Sequence, residues 1–141
     1  MEHRPPITRT IGRLARKIRR RIDRLTSEEG VFSGSQGRVL HFILANSDGL
    51  FQKDIERAFG FRPPTASELL KALEAQGLIS RKAAKDDARY KEIRPTEKAL
   101  LYKPAVINGL RELERQATAG LSEQELAELR RILEIMAQNL S

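Results

Sequence analysis

The sequence predicts a mainly α fold that carries one small β-hairpin. Three observations predict it. Apolar residues recur at helical spacing from Ile7 to Leu25, from Val39 to Leu44 and from Leu126 to Leu140. Glycine and proline stand where helices begin and end, at Gly60, Pro63-Pro64 and Gly77. Between Ile79 and Arg94 the pattern shortens to two strand-length runs around a polar, basic tip.

The elements follow in order. Ile7, Ile11, Leu14, Ile18, Ile22 and Leu25 form one apolar stripe on a helix of about 20 residues, with Arg and Lys on its other faces. A lone amphipathic helix at a terminus must dock, either on its own domain or on a second subunit. Ser33-Gly34-Ser35 breaks the chain, and Ser33 or Ser35 can cap the helix from Gln36 to Ala45. That helix presents Val39, Leu40, Ile43 and Leu44 and ends in the turn residues Asn46-Ser47-Asp48-Gly49. The next helix runs from Phe51 to Phe59, with Ile55, Ala58 and Phe59 expected to face inward, and Gly60 supplies the left-handed turn. Proline is favourable at a helix start because its missing N–H would be unpaired there, so Pro63 or Pro64 opens the following helix. Leu69, Leu70 and Leu73 are its expected core side.

Gly77 closes that helix. Ile79 to Lys82 and Tyr90 to Arg94 read as strands, with Ile93 inward and Asp86-Asp87 as turn residues. Pro95 ends the return strand, since it cannot donate to a ladder. Thr96 caps a long helix starting near Glu97, whose apolar side is Leu100, Leu101, Val106, Ile107, Leu110, Leu113 and Ala117. Pro104 within that pattern requires a kink or a first-turn start close by. Ser122 and Glu125 make a capping box for the last helix, with Leu126, Leu129, Ile132, Leu133, Met136 and Leu140 on one side.

Helix, tight turn, helix and basic hairpin is the order of parts in a winged helix-turn-helix. That module lays its second helix in the major groove of duplex DNA. At 141 residues the chain reads as one domain. Residues 33–95 make the DNA-binding part. Residues 4–26 and 97–140 make a helical dimerisation part, because two-fold symmetry lets a dimer read two half-sites.

Composition narrows the functional classes. The chain has no cysteine, which excludes disulfides, thiolate metal sites and a cysteine redox sensor, and fits a cytoplasmic protein. No apolar run is long enough for a membrane span, and the charged N-terminus lacks the apolar core of a secretory signal. His3 and His41 are far apart and make a poor metal set. There is no glycine-rich phosphate loop, paired His–carboxylate motif or nucleophile elbow, so neither an enzyme nor a cofactor is expected. The net charge is +7, and residues 1–25 alone carry nine Lys and Arg against Glu2 and Asp23. That excess favours a polyanionic partner but gives no specificity, and a solvated charged helix face is the alternative reading of it.

The candidate DNA contacts lie further along. Thr65 and Ser67, near the start of the second helix, put hydroxyls where phosphates or base edges approach a helix N-terminus. Arg62 and Lys71 flank them and suit phosphate or guanine. Glu68 can accept from cytosine N4 or remain solvated. Ser35 and Arg38 begin a helix whose N-terminus can touch the DNA backbone.

The sequence resembles the MarR family of bacterial transcriptional regulators over nearly its whole length. The matching motifs are Ser33-Gly34-Ser35-Gln36-Gly37-Arg38-Val39-Leu40, Gln52-Lys53-Asp54-Ile55 and Arg62-Pro63-Pro64-Thr65-Ala66-Ser67-Glu68-Leu69-Leu70. They continue in Leu73-Glu74-Ala75-Gln76-Gly77-Leu78-Ile79-Ser80-Arg81, Asp87-Ala88-Arg89-Tyr90-Lys91-Glu92-Ile93 and Thr96-Glu97-Lys98-Ala99. Each piece is weak alone; their order and spacing carry the resemblance. It implies a triangular winged-helix homodimer joined by its terminal helices and bound to a palindromic operator. The helix from about Pro63 to Gln76 would enter the major groove, and the hairpin would reach the adjacent minor groove. Many such proteins repress operons and are released by small anionic aromatic ligands, oxidants or metals.

At the wing this chain departs from the family pattern. Many members carry two arginines after the acidic pair, whereas here Ala88 takes the first place and only Arg89 remains. Arg89 either inserts into a narrow minor groove or folds back on Asp87 and braces the hairpin. If it braces, Lys85, Arg81, Lys82 or Lys91 supplies the groove and phosphate contacts. Three functions remain open: a ligand-responsive transcription factor, a protein-interaction module built on a winged helix, and a non-specific nucleic-acid binder driven by the basic first helix.

Overall fold

The computed structural model describes residues 4–28 and 34–141, and the side chains of 26–28 are outside the description. Ser33, one of the two expected caps, lies outside the described residues. The elements are α1 (Ile7–Glu28), α2 (Gly34–Ala45), α3 (Gln52–Phe59), α4 (Pro63–Ala75), β1 (Ile79–Ala83), β2 (Lys91–Pro95), α5 (Glu97–Leu100), α6 (Lys103–Ala117) and α7 (Glu123–Asn139). The expected class, mainly α with a hairpin wing, is the observed one.

The core forms where α2, α3, α4 and the hairpin meet. Val39, Leu40, Ile43 and Leu44 of α2 pack with Ile55 of α3 and with Ala66, Leu70 and Leu73 of α4. Leu78, Ile79, Ile93, Ala99 and Val106 complete it, so residues after the hairpin also belong to this core. A ring cluster closes one side: Phe42 meets Phe59 edge-on at 5.6 Å, and Phe59 stacks on Phe61 at 5.4 Å. Ala58 was expected inside with Ile55 and Phe59, but it is exposed. On this eight-residue helix Ile55 and Phe59 define the inner line, and Ala58, a turn of about 100° from Phe59, falls past its edge.

Local chemistry sets the boundaries of the helix-turn-helix. Gly60 takes φ 68°, and the Phe61 N–H donates to Glu56 O at 3.1 Å. Gly77 takes φ 75°; its N–H donates to Glu74 O at 3.0 Å while Leu78 N–H donates to Leu73 O at 3.0 Å, the paired bonds of a Schellman end. Thr96 then ties the two halves of the chain. Its hydroxyl donates to Gly77 O at 2.7 Å and accepts from the Ala99 N–H at 3.3 Å.

The hairpin is antiparallel, with Arg81 opposite Ile93 and Ala83 opposite Lys91. Leu50 adds a one-residue third edge: it accepts from Ile93 N–H at 2.6 Å and donates to Ile93 O at 3.1 Å. The wing is thereby fixed to the segment that leads into α3.

The long helix expected from Glu97 is two helices. α5 lasts one turn, the chain bends at Leu101-Tyr102, and α6 restarts with Pro104 in its first turn. Continuing through would set the Pro104 ring against the carbonyl of Leu100, four residues back. Val106 is buried, but Leu101 is 80% exposed, so the apolar side read from the sequence does not point one way. α1 packs on α2 and α6. Its Leu25 lies against Gly109 so closely that a Cβ there would come 2.9 Å from Leu25 Cδ2.

His41 of α2 is 4% exposed, and its Nδ1 has no hydrogen-bond partner among the described residues. Burial lowers its pKa from the usual 6.5, opposed by the nearby Asp23 carboxylate, which raises it. The unfolded chain therefore binds a proton that the folded chain resists. Stability should hold above the unfolded value near 6.5 and fall as the pH drops below it toward the lowered folded value. Urea midpoints measured across that window should decline for wild type and flatten in His41→Gln. An equally steep decline in the variant would assign the effect to other groups.

Candidate nucleic-acid interface

α4 turns Ala66, Leu70 and Leu73 into the core. The same spacing leaves Thr65, Glu68 and Lys71 exposed, with Arg62 just before the helix also exposed and Ser67 half-buried. At about 100° per residue, Thr65 and Ser67 lie on opposite flanks of the outward face, with Glu68 and Lys71 between them. Pro63 and Pro64 occupy the first turn, so α4 begins without the N–H groups that proline lacks.

The wing stands beside this helix and is partly bolted to it. Arg81 donates to Glu74 of α4 through Nη2 at 3.2 Å, with Nε at 3.5 Å. This hydrogen bond holds the Glu74 carboxyl below its usual range. With its side chain only 14% exposed, Arg81 fixes the root of the wing rather than reaching outward. Lys82, Lys85 and Lys91 are exposed, and none forms an ion pair with a described residue.

Arg89 folds back on Asp87. Its Nη2 lies 2.8 Å from Oδ2, its Nε 3.1 Å from Oδ1, and its backbone N–H donates to Oδ1 at 3.0 Å. The guanidinium bond, then the backbone bond, lowers the Asp87 pKa. The guanidinium is still 82% exposed, so the pair is a surface contact that solvent screens. In this conformation the bracing role is the one Arg89 plays.

Ser35 and Arg38 do not join the α4 face. Arg38 donates to Asp23 of α1 at 3.0 Å and to Ser35 Oγ at 3.2 Å, a clasp between α1 and α2. Ten of the twelve candidate contacts therefore gather on α4 and the hairpin, and these two sit at the α1–α2 junction.

Sequence reasoning missed the space between α3 and the wing. A cleft of about 750 Å³ opens there, bounded by Phe51, Lys53, Arg57, Asp87, Arg89 and Tyr90 among others. Lys53 Nζ lies 5.6 Å from the centre of the Tyr90 ring, and the Arg89 guanidinium lies 6.0 Å from it. Lys53 and Tyr90 belong to different elements, so no local pattern could have paired them. Among the described residues no group of His, Asp and Glu could hold a metal ion, and no helix is long and apolar enough to cross a membrane.

An outward polar helix beside a basic hairpin, both resting on one small core, defines a winged helix-turn-helix protein. A sequence profile of the MarR family matches residues 32–89. A putative MarR-family transcriptional regulator from Listeria monocytogenes, solved with a 26-mer DNA, is 28% identical and superposes with a TM-score of 0.82 over 97% of this chain and 90% of that one. S. aureus MepR in its DNA-binding conformation is 27% identical, with a TM-score of 0.85 over 97% of this chain and 100% of that one. The transcription regulator MarR from Oenococcus oeni is 25% identical, with a TM-score of 0.83 over 94% of this chain and 99% of that one. In sequence profile and in fold the chain is similar to MarR-family transcriptional regulators.

Proposed function

We propose that this protein is a dimeric, sequence-specific transcriptional regulator of duplex DNA, acting as a repressor that a small molecule releases. The observation that carries the DNA reading is the pairing of α4 with the wing. Arg62, Thr65, Glu68 and Lys71 form an exposed polar face, and Lys82, Lys85 and Lys91 lie unpaired on the hairpin beside it. Hydroxyls and a lysine on a groove-sized helix suit base edges and phosphates. Exposed lysines on a hairpin suit the backbone flanking them. An acidic or apolar face would instead favour a protein partner, and α4 presents neither. The DNA complexes solved for similar chains agree with this reading.

Release by a small anionic aromatic effector is supported by the cleft between α3 and the wing. Its volume of about 750 Å³ suits such a molecule, and Tyr90 with Lys53 and Arg89 offers a ring beside two cations. A ligand there would draw Arg89 from Asp87 and reset the wing against α3.

The test is repeated selection of the purified protein on random-sequence duplexes. We expect an enriched two-fold symmetric site with half-sites about one helical turn apart, roughly 34–36 Å. Failure to enrich any sequence, with equal binding to all duplexes, would overturn the sequence-specific reading.

A further inference from the structure

The largest excess of positive charge lies outside the winged module, in residues 1–25. Arg9, Arg13, Arg16 and Arg20 are all exposed on α1, spaced four, three and four residues apart. They form one ridge about 16 Å long, on the side of the helix opposite the stripe of Ile11, Ile18, Ile22 and Leu25. The inner side is fixed by Leu25 on Gly109 and by Arg21, which donates to Gln116 of α6. α1 packs on α2 and α6, whereas α4 packs on α2, α3 and β1. The ridge and the α4 face are thus carried by different elements.

Among the described residues the ridge has no internal compensation. None of its four arginines forms an ion pair with a described residue. Asp23, an acid of the same helix, is held by Arg38 of α2 at 3.0 Å. Arg9 and Arg13, like Arg16 and Arg20, are like charges four apart, which destabilises a helix by a few tenths of a kcal/mol per pair. On α6 and α7 acids are interleaved with the arginines. Arg115 lies 2.5 Å from Glu112, and Arg131 lies 2.5 Å from Glu128, each three residues away on its own helix. A merely solvated face would be expected to show the interleaved acids of α6 and α7. A line of arginines whose Cβ atoms stand about 5–6 Å apart, without counter-charges among the described residues, instead matches a repeating polyanion.

We propose that this arginine ridge is a second, sequence-independent surface for the phosphodiester backbone of duplex DNA. A lipid surface is the less suited partner, because membrane binding by an amphipathic helix needs its apolar side, and α1 turns that side toward α2 and α6. The proposal rests on α1 and not on the assignment of α4, so random-sequence duplex is the proper probe.

The experiment measures binding of a long random-sequence duplex between about 50 and 200 mM salt for the full chain and for R9Q/R13Q/R16Q/R20Q. Glutamine keeps helix propensity close to that of arginine. We expect weaker binding and a log–log salt slope shallower by up to about 3.6, at about 0.9 per lost phosphate contact. R13Q/R20Q should lose about half of that slope. The melting temperature should stay level or rise, since like-charge pairs are relieved. Beads carrying one duplex should capture a second, labelled duplex through wild type if the ridge reaches another DNA segment. A slope loss without capture places the ridge on the flank of the same duplex. If the quadruple variant keeps the wild-type slope, the proposal is wrong. Binding of phosphatidylserine-rich vesicles through these arginines, with duplex binding unchanged, would overturn it in favour of a lipid surface.

Discussion

Replacing Thr65 and Ser67 together with alanine should reduce affinity for the selected operator about thirty-fold or more, with little change in random-duplex binding. Thr65 is exposed on α4 and Ser67 is half-buried on the opposite flank of the outward face. Neither belongs to the buried core, so the fold should survive. Alanine also favours the helix over threonine and serine, which works against any loss of stability. Each lost base contact costs roughly 1–3 kcal/mol, so two independent contacts would amount to about 2–6 kcal/mol. The two residues sit about 160° apart around the helix and so face different edges of the groove. Thr65→Ala alone should therefore relax preference at a different operator position from Ser67→Ala. Melting curves and titrations on operator and random duplex decide the matter. Wild-type operator affinity in an intact double variant would move base reading to another element.

Loss of the last twenty-one residues should shift the protein from dimer to monomer at micromolar concentration. No residue of α7 is buried in the single chain. Leu129, Ile132, Leu133 and Ile135 are each 41–45% exposed. On α1, Ile7 is 65% and Leu14 54% exposed, although both belong to the apolar stripe. Such surface is unfavourable in water, and a second copy can cover it. An interface of about 1,600 Å², somewhat more than half apolar, would yield roughly 20 kcal/mol before association costs of about 4–15 kcal/mol. The buried apolar core lies between Val39 and Val106, so a chain ending before α7 keeps it. Sedimentation of the two chains separates the outcomes. A truncated chain that remains dimeric would place the interface elsewhere. Operator affinity should fall together with the dimer, because a linked second half-site binds at an effective concentration in the millimolar range.

Much of this was legible in the sequence, for a physical reason that differs from element to element. Gly60, Pro63-Pro64, Gly77, Thr96 and the Ser122–Glu125 box act within one turn of chain, so their roles can be read from neighbours alone. The structure repeats them: Gly60 and Gly77 take positive φ, and Ser122 accepts from the Glu125 N–H at 3.1 Å. The buried side of α2 and α4 follows from periodicity in the same way. Where sequence reading went astray, local signals competed. Thr96 announced a helix and Pro104 contradicted it four residues past Leu100, and the chain met both demands with two helices. Ala58 is apolar enough for a core and small enough not to need one.

The charge pattern shows the other side of the division. By itself, the sequence determined that positive charge crowds into the first helix, that no cysteine is present, and that a basic hairpin follows a helix-turn-helix. It could not determine which cations are free. Arg38, Arg81 and Arg89 looked alike in sequence as candidates for DNA. The fold puts Arg38 on Asp23, Arg81 on Glu74 and Arg89 on Asp87, and leaves Lys82, Lys85 and Lys91 without such partners. A charge is available only if no opposite charge stands within about 4 Å, and for Arg38 that neighbour comes from a different helix. Helix ends and buried faces are decided by bonds and periodicities that span a few residues. The pairing of Lys53 with Tyr90, the approach of Leu25 to Gly109 and the supply of free cations depend on distances between elements, and only the tertiary structure sets those.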